Sequence, residues 1–412
     1  MIHYDQFTLK NGLRVLLHHD QTTPLVVVNT IYNVGARDES PNQTGFAHLF
    51  EHLMFGGSIN IENFDKPLQL AGGECNAFTN NDITNYYSTI PANNIETALW
   101  LESDRMLSLA FNQKSLDVQK NVVIEEFKQR YLNQPYGDLW HVFRPLIFKT
   151  HPYQWPTIGK ELSHVENANI ADVKAFFKKH YSPQNAILVV GGNFEQDLIK
   201  CQIEKWYGDI PPGKKYDRQI LPEPIQQAER RLQIKRDVPS NAIYIAFRIG
   251  NRTSNDHYLG DLVSDILSGS KSSRLYENLV KQKKLFSQVN AYISSGFEHG
   301  LFIIAGFTQN EVDLTDAEAA IWQELNELIE GDLAPSELIK VKNKFKTAKA
   351  FQNQSLLNRV MNLSQLAILD HLDELHLENE LYNQISSTDI KNFCKKYFTK
   401  TNTNALHVIS SQ

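Results

Sequence analysis

The chain of 412 residues has few cysteines, no long apolar run and no basic stripe. The three cysteines (Cys75, Cys201 and Cys394) are odd in number and widely spaced, which excludes a disulfide framework and a cysteine metal site and predicts reduced thiols. No stretch approaches eighteen consecutive apolar residues, so we expect no membrane span. The net charge is -6, with acidic and basic residues interspersed, which argues against nucleic acid as a partner.

The first residues, MIHYDQFTLKNGLRVLL, also lack the basic segment and apolar core of a signal peptide. We therefore expect a cytoplasmic protein, with a periplasmic location as the alternative if a leader has been removed. The composition, 42% hydrophobic and 21% charged, is that of a globular chain long enough for two or three domains.

Strand and helix patterns occur twice in the same order, once on each side of a proline-rich segment. In the first half, two strand patterns, two short helices and a strand pair precede longer helices and the strand AILVVGG. Residues 211–229 contain four prolines and have the composition of a linker. The sequence predicts an α+β fold with two homologous lobes, each a mostly antiparallel sheet covered by helices. The predicted lobes are residues 1–210 and 230–412.

The stretch TGFAHLFEHLMFGGS carries three polar groups on a helix that is otherwise apolar. His48, Glu51 and His52 fall on one helical face, because positions i, i+3 and i+4 are neighbours. Three ionisable groups on a buried helix need a partner, and two imidazoles at this spacing suit zinc, with a carboxylate beside the water that the metal holds. The pattern predicts a zinc site. The flanking apolar residues are Phe46, Leu49, Phe50, Leu53, Met54 and Phe55.

A catalytic zinc takes a third protein ligand and keeps one position open. The best downstream candidate is the acidic pair Glu125 and Glu126 in NVVIEEFKQR. Both residues flank the apolar stripe of their helix, and periodicity alone does not choose between them. A solvated helix face is the alternative interpretation of such a pair.

The motif HLFEH is the H-x-x-E-H signature of the inverted zincins, and the whole chain resembles the pitrilysin-like (M16) metallopeptidases. Further matching motifs are KNGLRVLL, VGARDE, NAFTNNDITNYY, NVVIEE, HPYQWPTIGK and GSKSSRLYENL. The chain is most similar to the half-length bacterial members and to the subunits of the mitochondrial processing peptidase.

The resemblance implies a role for each residue of the motifs. His48 and His52 match the family's zinc-binding histidines, Glu51 matches its general base, and Glu126 matches its third ligand. The implied cofactor is one Zn²⁺ per chain. The family usually has a glutamate seven residues before the third ligand, where this chain has Gln119, so the outer support of the site departs from the pattern. Asn76 and Ala77 match the strand edge to which peptide substrates add.

The second half lacks a feature that active family members normally have. They bring an arginine and a tyrosine, seven residues apart, to the bound peptide and the oxyanion. This chain has Val280 and Ser287 at those places in LVKQKKLFS, and neither side chain replaces a cationic or phenolic donor. The resemblance therefore implies a heterodimer in which a homologous subunit without zinc supplies the pair, with a homodimer as the alternative.

These observations lead to a hypothesis about function. We expect a zinc endopeptidase that cleaves short or unfolded peptides inside a chamber formed with a partner subunit, with Glu51 activating the water. The alternative is a zinc-containing peptide-binding or assembly subunit with little turnover of its own.

Overall fold

The computed structural model describes residues 2–411 and divides into two compact units that are discontinuous in sequence. Unit 1 consists of Met1–Leu132, His151–Leu221 and Phe351–His376. Unit 2 consists of Asn133–Thr150, Pro222–Ala350 and Leu377–Gln412.

Unit 1 contains a six-stranded sheet of order β1-β2-β6-β3-β5-β4. All neighbouring pairs are antiparallel except β2 and β6, which are parallel. Strands β3 and β6 lie in the middle of the sheet and are rich in valine, isoleucine and leucine, while β1 and β4 form its two edges. The strands are β1 (Asp5–Thr8), β2 (Arg14–His19), β3 (Leu25–Tyr32), β4 (Glu74–Thr79), β5 (Thr84–Pro91) and β6 (Ala186–Gly192).

One face of this sheet packs against the helices of the first half, and a single hydrophobic core fills the space between them. The helices are α1 (Phe46–Leu53), α2 (Asp65–Leu70), α3 (Ile95–Leu107), α4 (Gln113–Phe127), α5 (Leu139–Ile147), α6 (Leu162–Glu166), α7 (Ile170–His180) and α8 (Gln196–Tyr207). All of them except α5 lie in unit 1. A π-helical turn, Lys128–Leu132, continues α4.

Unit 2 contains a five-stranded sheet of order β7-β11-β8-β10-β9. Its strands are β7 (Arg230–Arg236), β8 (Ala242–Ile249), β9 (Phe286–Ser294), β10 (Gly300–Thr308) and β11 (Thr403–Ser410). The helices of the second half are α9 (Asn255–Ser268), α10 (Leu314–Glu330), α11 (Pro335–Gln352), α12 (Leu356–Ile368), α13 (Glu374–Gln384) and α14 (Ser387–Tyr397), with a π-helical segment at Tyr276–Gln282. As in unit 1, one neighbouring pair is parallel, here β7 and β11, and the other neighbouring pairs are antiparallel.

The two sheets have the same strand order, apart from the additional β1 in unit 1. The predicted fold class is therefore confirmed: the protein is α+β, with two lobes of the same design and mostly antiparallel sheets. No helix among residues 2–411 is both long enough and apolar enough to cross a membrane.

Helix α5, from the first half of the sequence, belongs to unit 2, and helix α12, from the second half, belongs to unit 1. The predicted division into two lobes at residues 211–229 does not describe this exchange. Helix α12 lies on the second face of the unit 1 sheet, where Val360 fits beside Gly191, whose missing side chain leaves the space. Helix α5 packs on β7 and β11 of unit 2. Each sheet is thus covered on both faces, which accounts for the unbroken apolar run of β6.

Candidate metal centre

His48, His52 and Glu126 form a group of side chains that could hold a metal ion, and helix α1 (Phe46–Leu53) carries the two histidines. Its apolar residues are buried in the core of unit 1, whereas His48, Glu51 and His52 remain only partly covered. The three polar residues share the helical face that the sequence predicts, and the two imidazole rings lie edge to face with 4.9 Å between their centroids. The helix is therefore buried on its apolar faces and presents one polar face.

Helix α4 brings Glu126 to this stripe and turns Glu125 away from it. Val123 and Phe127 anchor the helix in the core, and Glu126 lies at the border of that apolar face. Glu125 is exposed and pairs with Lys128 at 2.8 Å. The structure thus distinguishes the two acidic residues, which the periodicity of the sequence leaves equivalent.

The three donors meet at one point. Nε2 of His48 and Nε2 of His52 lie 3.6 Å and 3.5 Å from Oε2 of Glu126, and the ligand atoms of all three residues lie within 4.8 Å of one another. Zinc bonds of about 2.0–2.1 Å in a tetrahedron separate neighbouring ligands by about 3.3 Å. The donor set and its spacing therefore fit a zinc ion with three protein ligands.

The electrostatics of the cluster favour a neutral imidazole at His48 beside an ionised carboxylate at Glu126. Burial lowers the pKa of His48 to about 4, although the charge of Glu126 opposes the shift. The hydrogen bond from His52 is the largest of the effects that lower the pKa of Glu126, and the positive charge of Arg130 adds to it. Deprotonated imidazole and carboxylate are the forms that bind a metal ion.

Arg130 lies one turn beyond Glu126, in the π-helical segment, and its guanidinium is 2.9 Å from Oε1 of Glu126. The two oxygens of Glu126 thus have separate partners, Oε2 with the histidines and Oε1 with Arg130. Partners that fix the free oxygen of a ligating carboxylate orient the ligand. No motif of the sequence points to Arg130, although its position four residues after Glu126 predicts that the two side chains meet on the helix.

Glu51 lies beside the donors and close to Thr79 of the neighbouring strand. Burial raises its pKa, while hydrogen bonds from Thr79 and the charge of His52 oppose the rise. Thr79 is the last residue of β4, so the carboxylate adjoins the end of an edge strand. Asn76 and Ala77 lie on the same strand, and the side-chain oxygen of Asn76 accepts a hydrogen bond from the amide of Ala77 at 2.8 Å.

The remaining predicted positions lie apart from the three donors or in unit 2. Gln119 is partly buried two helical turns before Glu126, close to Gly56, and its side chain makes no hydrogen bond with any residue in 2–411. Val280 packs partly buried against the core of unit 2. Ser287 is exposed on β9 and donates to the carbonyl of Phe307 at 3.1 Å. Neither side chain is cationic or aromatic.

A two-lobed α+β fold with a His-x-x-Glu-His helix and a third carboxylate on a separate helix defines a metallopeptidase-type protein. Residues 14–136 match the family described as Insulinase (Peptidase family M16), and residues 167–345 match the family described as Peptidase M16 inactive domain. The chain is 30% identical over 349 residues to the zinc protease PqqE of Helicobacter pylori, covering 82% of this chain and 78% of that protein. The chain belongs to peptidase family M16, as its motifs predict.

Other relatives extend the likeness to the full chain. The uncharacterized zinc protease YmxG of Bacillus subtilis is 25% identical over 404 residues, which cover 96% of each chain. A crystal structure of a protease from Helicobacter pylori superimposes with a TM-score of 0.93 over 99% of this chain and 100% of that one, at 25% identity. Pitrilysin matches with a TM-score of 0.80 and 18% identity over 100% of this chain and 45% of its own, a likeness of fold alone.

Proposed function

We propose that this chain is the zinc-bearing subunit of an endopeptidase that cleaves short or unfolded peptides. The supporting observation is that His48, His52 and Glu126 share one small volume while Glu51 lies beside them, close to the end of β4. A scaffold protein has no need of three converging donors with an adjacent unliganded carboxylate. The names of the relatives, zinc proteases, point in the same direction.

His48, His52 and Glu126 would hold one zinc ion, which would supply a Lewis acid that acidifies water and polarises a carbonyl. Glu51 accepts the proton of the attacking water and passes it to the leaving amine, which is general base and then general acid catalysis. The substrate lies extended along β4, where Asn76 and Ala77 offer main-chain hydrogen bonds. The amide of Ala77 must then exchange its bond to Asn76 for one to the peptide.

The replacement of Glu51 by glutamine tests this assignment. Glu51→Gln keeps the size of the side chain and removes its basicity, so zinc content stays that of wild type while cleavage of a fluorogenic peptide falls about 10²- to 10⁴-fold. Glu125→Gln, the exposed neighbour of the ligand, is the matched control and retains activity. Wild-type turnover in Glu51→Gln contradicts the assignment.

We further infer that a homologous subunit without zinc completes the site. Val280 and Ser287 cannot donate to an oxyanion or a substrate carbonyl as arginine and tyrosine do. Co-purification with a second chain of similar length, and a rise in peptidase activity when the two are mixed, support the heterodimer. Ordinary peptidase rates from the isolated chain contradict it, and a stable self-associated species with such rates indicates a homodimer instead.

A second function, a zinc-containing peptide-binding or assembly subunit, is favoured by the same absence at Val280 and Ser287. Such a subunit binds peptide saturably and shows no cleavage that a chelator abolishes. Zinc content measured together with peptide affinity and turnover separates the two functions.

A further inference from the structure

The start of helix α1 lacks a capping side chain of its own. The residue that precedes the helix is Gly45, in the left-handed conformation at φ 84°, and no acidic residue lies in the first turn. Any side chain at this position would collide with the carbonyl of Ile158, 2.6 Å from where a Cβ would lie. The free amide groups of this helix start therefore need an acceptor from elsewhere in the chain.

Glu39 supplies that acceptor from the VGARDE turn. Its Oε2 accepts from the amide of Gly45 at 3.0 Å, and its Oε1 accepts from the amide of Ala47 at 2.8 Å. The indole of Trp155 donates to the same Oε2 at 3.1 Å. Glu39 is 7% exposed and Trp155 2% exposed, so these bonds are shielded from water.

A second contact fixes the residue before the glycine. The hydroxyl of Thr44 accepts from the amide of Lys160 at 2.7 Å and lies 2.8 Å from Nδ1 of His164. The amide of Thr44 donates to the same ring nitrogen, so the hydroxyl donates there as well and His164 carries its proton on Nε2. Three segments, the turn at 36–39, the helix start and residues 155–164 up to the first turn of α6, are thus joined at the first turn of α1.

We propose that Glu39, Thr44 and Trp155 form a helix-start clamp that sets the orientation of α1 and thereby positions His48 and His52 for the metal. This inference rests on the proposed zinc function and goes beyond it, since none of the three residues touches a ligand side chain. The amide that Glu39 holds belongs to Ala47, which directly precedes His48, so a change in this bond shifts the backbone of the ligand. Glu39 is a positioning residue.

Both oxygens of Glu39 accept hydrogen bonds. Burial raises the pKa of Glu39 to about 8, although the amides of Ala47 and Gly45 and the indole of Trp155 oppose the rise, and the clamp needs the ionised carboxylate that predominates above that pH. An amide offers only one acceptor oxygen. In Glu39→Gln, the oxygen can retain the two donors at the Oε2 position, and the amide NH₂ then faces the N–H of Ala47. The first turn of α1 must move to relieve that contact between two donors.

The test compares Glu39→Gln, Trp155→Phe and wild type at a temperature at which all are folded. Glu39→Gln lowers zinc affinity, measured by competition with a chromophoric chelator, about tenfold or more, the scale of losses when the support of a ligand is removed. It also alters the visible absorption of the Co²⁺-loaded protein, which reports ligand geometry. Trp155→Phe leaves both amide bonds of Glu39 intact and changes both readouts less.

Glu223→Gln in unit 2 is the matched control. Glu223 is buried and accepts from the amides of Lys149 and Thr150, so its replacement costs stability without touching helix α1.

A folded Glu39→Gln with wild-type zinc affinity and Co²⁺ spectrum overturns the clamp. If Glu39→Gln yields no folded protein, Thr44→Val takes its place: weaker zinc binding restored by Thr44→Ser supports the clamp, and unchanged binding overturns it. Failure of wild type itself to bind zinc refutes the proposed function instead.

Discussion

His180 makes unit 1 sensitive to acid, and the size of the effect follows from its surroundings. The ring is fully buried at the end of α7, and neither nitrogen makes a hydrogen bond with any residue in 2–411. The rings of Phe176 and Tyr216 each lie 4.6 Å from it, centroid to centroid. Burial lowers the pKa of His180 from 6.5 to about 4; Lys179 and Arg218 contribute to the shift, and the charge of Asp38 opposes it.

The direction in which the free energy of unfolding changes with pH follows from proton binding. Between pH 6.5 and about 4 the unfolded chain binds a proton at His180 that the folded protein does not, so the free energy of unfolding falls as the pH falls. A pKa difference of about 2.5 corresponds to about 3 kcal/mol in total, of which about 2.5 kcal/mol is lost by pH 4.5. Below the folded-state pKa the loss levels off.

Replacement by leucine removes this linkage while nearly keeping the volume. His180→Leu therefore shows a smaller loss of unfolding free energy between pH 7.5 and 4.5 than wild type, by about 2.5 kcal/mol. The assay is urea unfolding at both pH values, read by pulse-labelling deuterium uptake in β6, so that the signal comes from unit 1. The exposed His376→Gln is the control and keeps the wild-type pH dependence. Parallel pH curves for His180→Leu and wild type would refute the reasoning.

Three further predictions concern the metal centre and its completion. Glu126→Gln lowers zinc affinity more than tenfold by removing an anionic ligand, whereas Glu125→Gln does not change it, and equal affinities in a chelator competition would contradict the assignment. Arg130→Leu weakens zinc binding less than tenfold, because an exposed ion pair that orients a ligand contributes little. The effect of the substitution on zinc affinity becomes smaller at high salt. A loss of zinc affinity as large as that of Glu126→Gln would contradict this prediction. The double variant Val280→Arg with Ser287→Tyr raises kcat of the isolated chain on an unstructured peptide, and no gain beyond that of Val280→Lys with Ser287→Phe would argue against the missing pair as the limiting feature.

The polar face of helix α1 was predictable from sequence because it is a local feature. His48, Glu51 and His52 lie within five residues, and helical geometry alone brings them to one face. The choice between Glu125 and Glu126 was not local. It depends on how Val123 and Phe127 seat α4 in the core, and both acidic residues border the apolar stripe in the sequence. The resemblance to a family made the choice, and the structure brings Glu126 to the histidines.

The sequence does not predict that α5 packs on the sheet of unit 2 and α12 on the sheet of unit 1. The apolar run AILVVGG indicates that both faces of β6 are covered, but an amphipathic pattern does not say which sheet its helix will cover. The clamp at Glu39 was hidden for a similar reason. Capping is read from residues next to a helix start, whereas Glu39 lies six residues before Gly45 and Trp155 more than a hundred after it.

Unit 2 contains an internal comparison for the metal site. Helix α9 follows β8 and precedes β9, as α1 follows β3 and precedes β4, and it carries His257 and Asp261 at the same spacing as His48 and His52. There, however, Nδ1 of His257 pairs with the hydroxyl of Ser295 at 2.7 Å, and Asp261 accepts from the hydroxyl of Tyr382 at 2.8 Å. No other group of three metal-type ligands occurs among residues 2–411. Spacing of four residues on a buried helix is therefore not sufficient for a metal site: the donors must converge on each other, and α1 achieves this because α4 brings a third donor to the pair.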